Sequence, residues 1–564
     1  MNLIDWAILF ITLFVIIVFG IYKNRKDKNI ESYLLGNQSL PWYHVGFSVM
    51  ATQASAVTFL SAPGQGYVDG MRFVQFYLGL PLAMIVLSVT FIPIFHRLKV
   101  YTAYEYLETR FDSKVRIFTA ILFLFSRSLS TGISIYAPSI ILSTIFGWDI
   151  VYTNIFMGGI VLIYTVVGGT KAISYTHLQQ MFLITLVLFF VGYLVVKMLP
   201  SDIGMIDAIK IAGKTQKMKV LDLEFNPNER YNLWSGLIGG FFLQLSYFGT
   251  DQSQVGRYLT GKSIKESRLG LIMNGFLKIP MQFGILLIGV LVYVFYLFNN
   301  TPTVFNQIEA TKLETGKYSE QFNSIKDQHQ KVVTEKKIFS EKLNLSLKNK
   351  SESQIKENSS QLNLILEKEK NLNKKASDLI KKNNPEGDAN DINYIFLRFV
   401  IDYLPHGLIG LMIALIFSAS MGSIASAYSS LSATTLVDVI NKSRFKPKTP
   451  ELELQYTKGF TIFWAVFSII VASFAQKLGS SMIELVNILG SWFYGIILGI
   501  FLAAFYVKQI KSQALLYSAI LSQILVILIW KYELVAFLWL NPIGVILVLS
   551  IGLIFQKILS KKNE

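Results

Sequence analysis

The chain has 564 residues, of which 52% are hydrophobic and 16% are charged, a composition too apolar for a soluble protein of several domains. It contains no cysteine, which excludes disulfides, thiolate metal sites and cysteine nucleophiles. The formal net charge is +16, but Lys and Arg fall mostly between apolar segments and in one polar insert. That distribution indicates membrane topology and not a nucleic-acid groove.

Apolar segments long enough to cross a bilayer recur along most of the chain. One crossing takes about 20 apolar residues, which predicts about thirteen spans here. The spans are 3–22, 41–62, 73–96, 117–146, 150–167, 176–197, 232–256, 269–297, 393–440, 456–475, 481–507, 513–530 and 535–556. The first is a retained helix and not a signal peptide, because its basic cluster follows the apolar run. The segment 393–440 is too long for one straight span.

The basic residues of the short loops alternate between the two faces of the membrane. If the N-terminus lies outside, the inner loops hold clusters such as 23–28, 97–116 and 442–448, and the short outer loops are nearly free of Lys and Arg. The positive-inside rule then predicts a multi-pass protein with an outer N-terminus and a cytoplasmic C-terminus. A bacterial inner membrane, which is the plasma membrane of the cell, fits this arrangement.

Two longer segments lie on the outer face in this topology. Residues 198–231 have a mixed composition and room for a short interfacial helix. Residues 299–392 are rich in Lys, Glu, Gln, Asn and Ser with sparse Leu and Ile, which predicts a solvated helical hairpin or loose coiled coil broken near 349–353. Disorder is the alternative for this insert, which is also the candidate surface for a partner in the cell envelope.

Polar residues inside apolar spans are costly, so each is a functional candidate. They cluster in "FSVMATQASAVTFLSAPGQGY" of the second span, "FFLQLSYFGTDQSQVGRYL" of the seventh and "FSASMGSIASAYSSLSATTLVDVI" of the ninth. Close helix packing is the alternative reading of their small residues. An interrupted helix that exposes carbonyls beside Ser hydroxyls offers an oxygen cage suited to Na⁺. The pattern predicts an ion-coupled transporter.

These stretches resemble a known family in their order along the chain. The segment "SYFGTDQSQVGRYLTGKS" with "GFLKIP" after it, "YTHLQQ" after "GGTKA", and the second-span and ninth-span clusters are similar to the sodium:solute symporter family. Within that family, "YEYLETRF" and "TGISIYAPSIIL" resemble most the branch that carries iodide, monocarboxylates and vitamins. The resemblance covers nearly all of the chain except the insert.

The resemblance implies an all-α polytopic membrane protein with a LeuT-like inverted repeat of five plus five helices. The first repeat is placed at 41–197 and the second at 232–507, which the outer insert 299–392 interrupts. Residues 1–40 form an extra helix and an inner loop, 198–231 form the outer loop, and 508–564 form two extra helices.

The resemblance also implies one sodium site, with Na⁺ as coupling ion and no other cofactor. Its ligands are carbonyls of the first core helix and a carbonyl and hydroxyls of the eighth, at positions matching Ala51, Ala54, Ala419, Gly422 and Ser423. Gly422 departs from the family pattern because it supplies no hydroxyl. The site is therefore weaker, or water or a neighbour such as Ser426 completes it.

His177 is the second departure from the pattern. Family members with an additional sodium site carry Asp in a "YTD" sequence where this chain has "YTH". An imidazolium repels Na⁺, so the resemblance implies a lost second sodium site, one Na⁺ per cycle and pH sensitivity. A structural His held by hydrogen bonds is the alternative.

The resemblance further points to a substrate pocket formed by residues from several helices: Ser55, Thr58, Phe73, Gln75, Gln244, Tyr247 and Lys278. Tyr247 matches an inner-gate tyrosine, whereas Lys278 has a structural alternative. Arg127 in "FLFSRSLSTG" is a candidate for holding a carboxylate through two parallel hydrogen bonds, with an internal ion pair or snorkelling as alternatives.

Together these features predict a secondary active transporter, with Na⁺-coupled symport of a small organic anion such as a monocarboxylate or a sialic acid-like sugar. Neutral sugars or polyols are the alternative cargo, and a solute sensor that uses the insert is the alternative class. An enzyme is excluded on the motifs, because no Walker sequence, His metal pair or nucleophile elbow occurs.

Overall fold

The computed structural model describes residues 1–23, 38–98, 100–475 and 481–561, with the side chains in these ranges except those of 17, 19–23 and 167–175. Apart from one isolated bridge between Leu40 and Gly261, the residues within these ranges form no β structure. The all-α class predicted from the sequence is therefore confirmed. Most of the inner loop expected within 1–40 lies outside the described residues.

The described residues of the first half of the chain form nine α-helices. They are α1 (Leu3–Lys23), α2 (Trp42–Gln53), α3 (Ala62–Asp69), α4 (Leu80–Val89), α5 (Phe91–Leu98), α6 (Glu105–Arg110), α7 (Ser113–Phe146), α8 (Ile150–Lys197) and α9 (Met205–Lys214). Helix α9 is the short helix expected within 198–231. Helix α7 starts where the Asp112 carboxylate accepts the backbone N–H of Val115, and it ends at Gly147, whose φ of 66° suits glycine.

In the second half, the residues that the structure describes form twelve more helices, three of them in the insert. They are α10 (Gly240–Thr250), α11 (Gln252–Tyr258), α12 (Ile264–Phe298), α13 (Gln307–Thr315), α14 (Ser319–Lys348), α15 (Glu352–Asn383), α16 (Ile392–Tyr403), α17 (Leu408–Thr434), α18 (Pro450–Phe474), α19 (Met482–Tyr506), α20 (Ser512–Lys531) and α21 (Leu540–Lys561). The segment 393–440 is thus broken, as expected, between α16 and α17. A positive φ of 86° at Gly407 marks that break.

Two core helices are interrupted, one within the predicted span 41–62 and one within 232–256. Helix α2 ends at Gln53, Ala54 takes ψ 89°, and a wide turn at Val57–Ser61 leads into α3. Helix α10 ends at Thr250, and Asp251, with ψ 116°, caps α11 by accepting the backbone N–H of Ser253 at 2.8 Å. Each interruption leaves terminal carbonyls without partners in a continuing helix.

Long apolar helices account for most of the predicted spans. Within the described ranges, nine helical segments are long and apolar enough to cross a membrane, and Leu3–Ile16 of α1 and Ile150–Val166 of α8 are shorter apolar stretches. The number thirteen stays a prediction, because the interrupted helix pairs are too short to count by length.

The insert is an ordered helical hairpin and not a disordered loop. Helices α14 and α15 pack along their length, and the turn between them contains Lys350 with φ 55°. The buried Lys336 donates to Glu369 of the opposite helix at 2.5 Å and to Thr301 below the hairpin at 2.7 Å. Near the tip of the hairpin, Lys348 pairs with Asp202 at 2.7 Å. The two long segments therefore meet on one face of the molecule, here called the insert face.

Candidate functional site

A cavity of about 80 Å³ lies beside the break between α2 and α3. Thr52, Gln53, Ser55 and Thr58 of the broken helix line it. The other walls come from five more segments and include Phe76, Tyr77, Arg127, Ser130, Ser134, Leu243, Tyr247, Ser423, Ile483, Val486, Asn487 and Tyr494. We call this the central cavity.

The broken helix is attached directly to the Ser-rich helix α17. The backbone N–H of Ala56 donates to the hydroxyl of Ser420 at 3.2 Å, and Ser423 lines the central cavity beside Ser55. The Ser423 hydroxyl donates to the carbonyl of Ser420 at 3.1 Å, so its lone pairs stay available to a cation. Ala51 and Ala54, on the other helix, are buried. The fold thus brings together the two segments of the predicted sodium site.

Ser426 lies one turn further along α17 and lines a different cavity. That cavity of about 20 Å³ is shared with Gln252, Ser253 and Arg257 from the region of the second helix break. The Ser426 hydroxyl is buried and has no hydrogen-bond partner among the described residues. Its lone pairs are therefore available to an ion or a water molecule, on the side of α17 that faces α11.

Gly422 is in contact with His177. A Cβ atom added at Gly422 would lie 2.6 Å from Nε2 of His177 and 3.1 Å from Oε1 of Gln180. The imidazole is fully buried, and its Nδ1 lies 3.4 Å from the hydroxyl of Ser48 on α2. The ring therefore fills the space that a side chain at position 422 would need.

Arg127 reaches the central cavity from α7. Its Nη1 lies 3.8 Å from Oδ2 of Asp251, beyond hydrogen-bond distance, and its Nε has no partner among the described residues. Asp251 is itself held through Oδ1, which accepts the Ser253 hydroxyl at 2.5 Å. The guanidinium is buried, its ion pair with Asp251 is long, and the hydroxyl of Tyr247 is a second polar neighbour, so part of its set of donors stays available to a ligand in the cavity.

Tyr247 of α10 also faces the central cavity, and its hydroxyl accepts a hydrogen bond from the amide of Gln254 at 2.7 Å. The two residues lie on opposite sides of the second helix break. A movement of α11 relative to α10 would therefore change the position of the Tyr247 hydroxyl at the cavity wall.

Four predicted substrate residues lie outside the lining of the central cavity. Phe73 stacks on Phe76 and meets Tyr231 edge-on, and the Gln75 amide bonds to the backbone of Tyr231 and Asp222. Gln244 and Lys278 are buried in the helix bundle, and the structure shows no hydrogen-bond partner for either side chain among the described residues. Phe76 and Tyr77, from the same turn as Phe73, line the cavity in their place.

Sequence reasoning missed the contribution of α19. Asn487 and Tyr494 of this helix line the cavity, seven residues apart and therefore on one face. An Asn within the largely apolar span 481–507 was the available signal. Nothing in the sequence around Phe76 and Tyr77 distinguishes them from aromatic residues that only pack in the core.

Comparison with known proteins agrees with this architecture. The chain is 32% identical over 281 residues to the human "Sodium/iodide cotransporter", which covers 48% of this chain and 42% of that protein. It is also 32% identical over 276 residues to the bovine (Bos taurus) "Sodium-coupled monocarboxylate transporter 2", covering 48% and 44%. Each match thus spans less than half the length of the relative.

A solved structure shows the same fold along the whole chain. It is the substrate-bound outward-open state of a Na⁺-coupled sialic acid symporter, with a TM-score of 0.73, 23% identity and coverage of 99% of this chain and 98% of that one. The family model described as "Sodium:solute symporter family" matches residues 33–313 and 384–522, which omits most of the insert. The chain therefore belongs to the sodium:solute symporter family.

Proposed function

We propose that this protein is a Na⁺-coupled symporter of a small organic anion, with a monocarboxylate as the preferred class of cargo. The observation that carries the proposal is the buried, loosely paired guanidinium of Arg127 in a cavity next to a helix break. A carboxylate of the solute would take the free donors of Arg127, with Ser55, Thr58 and Tyr247 close by. The names of the relatives, which include a monocarboxylate transporter, support the same class.

The size of the central cavity supports a small cargo. Sites for drug-sized ligands occupy roughly 300–1,000 Å³, whereas this cavity has about 80 Å³ in the conformation described. A monocarboxylate with a few heavy atoms needs little widening. A sialic acid-like sugar needs the helices around the cavity to move apart.

Sodium would bind between the break of α2 and α17, with the carbonyls of Ala51, Ala54 and Ala419 and the hydroxyl of Ser423 as ligands. Because His177 occupies the space beside Gly422, we propose one Na⁺ per cycle. We place the insert face on the outside of a plasma membrane, following the positive-inside rule.

The first test is the thermal stability of the purified protein across a panel of solutes in NaCl and in KCl at matched ionic strength. A solute that binds the folded state at 100 times its Kd stabilises it by about 2.7 kcal/mol. We expect a sodium-dependent shift with a monocarboxylate and none with its amide. Equal shifts in both salts would overturn sodium coupling, and a shift with neutral sugars alone would overturn the anion.

A further inference from the structure

A second and larger cavity lies between two membrane-spanning helices, away from the central cavity. It measures about 700 Å³ and runs along the part of α8 after residue 176 and along α12. We call it the lateral groove. Its walls include Phe189, Gly192 and Tyr193 on α8, and Pro280, Met281 and Gly284 on α12.

The walls of the lateral groove offer almost nothing to a polar ligand. Thr185 and Tyr193 are the hydroxyl-bearing residues of the lining, and the Thr185 hydroxyl already donates to the carbonyl of Met181 at 2.7 Å. Water finds few hydrogen-bond partners in an apolar cavity of this kind, so the cavity favours apolar molecules. Its volume is in the range of about 300–1,000 Å³ that is typical of ligand sites.

The open side of the groove faces the hydrocarbon of the membrane. Phe189 is 77% exposed, Phe182 is 67% exposed and Leu277 is 43% exposed, although all three belong to helices that are long and apolar enough to span a bilayer. Molecules at this depth are lipid chains and not water-soluble partners. The occupant must therefore enter sideways from the bilayer.

Two glycines on opposite walls give the groove its width. A Cβ atom at Gly284 would meet no atom within 4 Å, and one at Gly192 would lie 3.6 Å from Ile288. The neighbouring helices therefore do not need glycine at these positions for their own packing. The space above both residues is left for something that is not part of the chain.

The end of the groove nearest the insert face carries groups that suit a lipid headgroup. Tyr193 lines the groove and Lys197 follows four residues later on the same exposed face of α8. Tyr and Lys at the end of a span sit at the level of the headgroups and reach toward phosphate. Met205, the first residue of the surface helix α9, closes this end.

We propose that the lateral groove is a binding site for one acyl chain of a bilayer phospholipid, whose phosphate lies beside Lys197. This site is separate from the proposed solute site and does not depend on it. At its deep end the groove is lined by Met50 of α2, which is followed by Ala51 and then by Thr52 of the central cavity. A bound chain therefore packs against the helix that carries the sodium-site carbonyls.

Photo-crosslinking tests the proposal. The protein is reconstituted in phosphatidylcholine vesicles that contain a phospholipid with a diazirine in the middle of one acyl chain, and cross-linked peptides are mapped by mass spectrometry. We expect cross-links to concentrate on the groove walls relative to the equally lipid-exposed face of α18. Cross-links spread in proportion to exposed apolar area would overturn the site.

Variants that fill the groove sharpen the test. Gly284→Leu should lower cross-linking at Met281 and Phe189 by at least about fourfold. That is the loss of affinity expected when one methylene group of the acyl chain can no longer be buried in the groove. Gly192→Leu fills the same space from the other wall and serves if the first variant misfolds. Gly459→Leu, an exposed position on α18 with no atom near its Cβ, is the matched control. Undiminished cross-linking in a folded, groove-filled variant would overturn the proposal.

Discussion

The imidazole of His177 lies where a side chain at position 422 would stand, with Nε2 2.6 Å from the place of the missing Cβ. The sequence treats these two residues as separate departures from the family pattern, one on α8 and one on α17. In the fold they form a single complementary contact, because the ring fits only if position 422 carries no side chain. The two departures therefore depend on each other.

This contact predicts the effect of Gly422→Ala. The new methyl group collides with a fully buried ring, so we expect a loss of about 1–3 kcal/mol in the free energy of unfolding. In a His177→Ala background the same change should be neutral or stabilising, since Ala is favoured over Gly in a helix by roughly 0.5–1 kcal/mol. Thermal unfolding of the double-mutant cycle measures the coupling, with Gly459→Ala as the control. Equal stabilisation at both glycines would contradict it.

The loose pair of Arg127 and Asp251 predicts opposite outcomes for its two members. Arg127→Gln should raise the KM for a monocarboxylate by roughly 10-fold or more, because it removes charge-assisted hydrogen bonds to the solute. Asp251→Asn should leave that KM unchanged or lower it, since it frees the guanidinium and keeps an oxygen for Ser253. Uptake into proteoliposomes measures both. If Asp251→Asn is as harmful as Arg127→Gln, the guanidinium serves the ion pair and not the solute.

Ser423 and Ser426 should differ in their effect on sodium. Ser423→Ala removes a hydroxyl beside the break of α2, and we expect the Na⁺ concentration for half-maximal uptake to rise about 10-fold, or about 1.4 kcal/mol. Ser426→Ala should raise it less, because Ser426 lines the separate cavity near α11. Sodium titrations at saturating solute make the comparison. A larger increase for Ser426→Ala than for Ser423→Ala would indicate that the sodium site lies one turn further along α17.

The carboxylates of the buried Asp388 and the half-buried Asp391, at the base of the insert, predict a dependence of stability on pH. Burial raises the pKa of both Asp388 and Asp391 from 3.8 to about 6, even though Tyr136 and Tyr394 donate hydroxyl hydrogen bonds to Asp388 and the backbone N–H groups of 305 and 306 donate to Asp391. The folded state therefore holds protons more tightly than the unfolded state. The contribution of these two groups to the free energy of unfolding is fully present below about pH 4 and is lost as the pH rises through about 6.

We accordingly expect these two groups to raise the melting temperature on acidification from pH 7.5 to pH 5, at about 1.4 kcal/mol per unit of pKa difference for each group. Asp388→Asn should flatten that part of the profile and stabilise the protein at neutral pH. Asp327→Asn on the exposed surface of α14 is the control. An unchanged slope in Asp388→Asn would show that the carboxyl does not titrate in this range.

The buried pair inside the hairpin predicts how firmly the insert is held. Glu369→Gln leaves the Lys336 ammonium buried, which costs about 3–5 kcal/mol when one partner of such a pair is removed. Replacing both by apolar residues, Lys336→Met with Glu369→Leu, should cost far less. Hydrogen exchange of α14 and α15 reports the local opening. Similar protection in the single and double variants would show that the pair contributes little.

The sequence predicted the larger features of the fold from local physics. The interruption of the second span follows from its small residues, Pro and Gly, and the hairpin of the insert follows from its charge and sparse apolar residues. The resemblance named Ser55, Thr58 and Tyr247, and the cost of burying a charge singled out Arg127; all four line the central cavity. The resemblance named Phe73 where Phe76 lines the cavity. Nearby residues in a tight turn point in different directions, and the sequence does not show which of them faces the cavity. The contact of His177 with Gly422 joins positions 245 residues apart, which no local pattern reveals.

The hairpin of the insert acts as a spacer of fixed length between parts of the membrane domain. Its 30-residue first helix is about 45 Å long at 1.5 Å per residue, and it is attached near its tip to Asp202 and further back to Thr301. The end of α8 and the end of α12 are thereby braced against each other from outside the bilayer. In a large rearrangement of this protein, the ends of α8 and α12 therefore move together. The relative movement of helices takes place in other parts of the membrane domain.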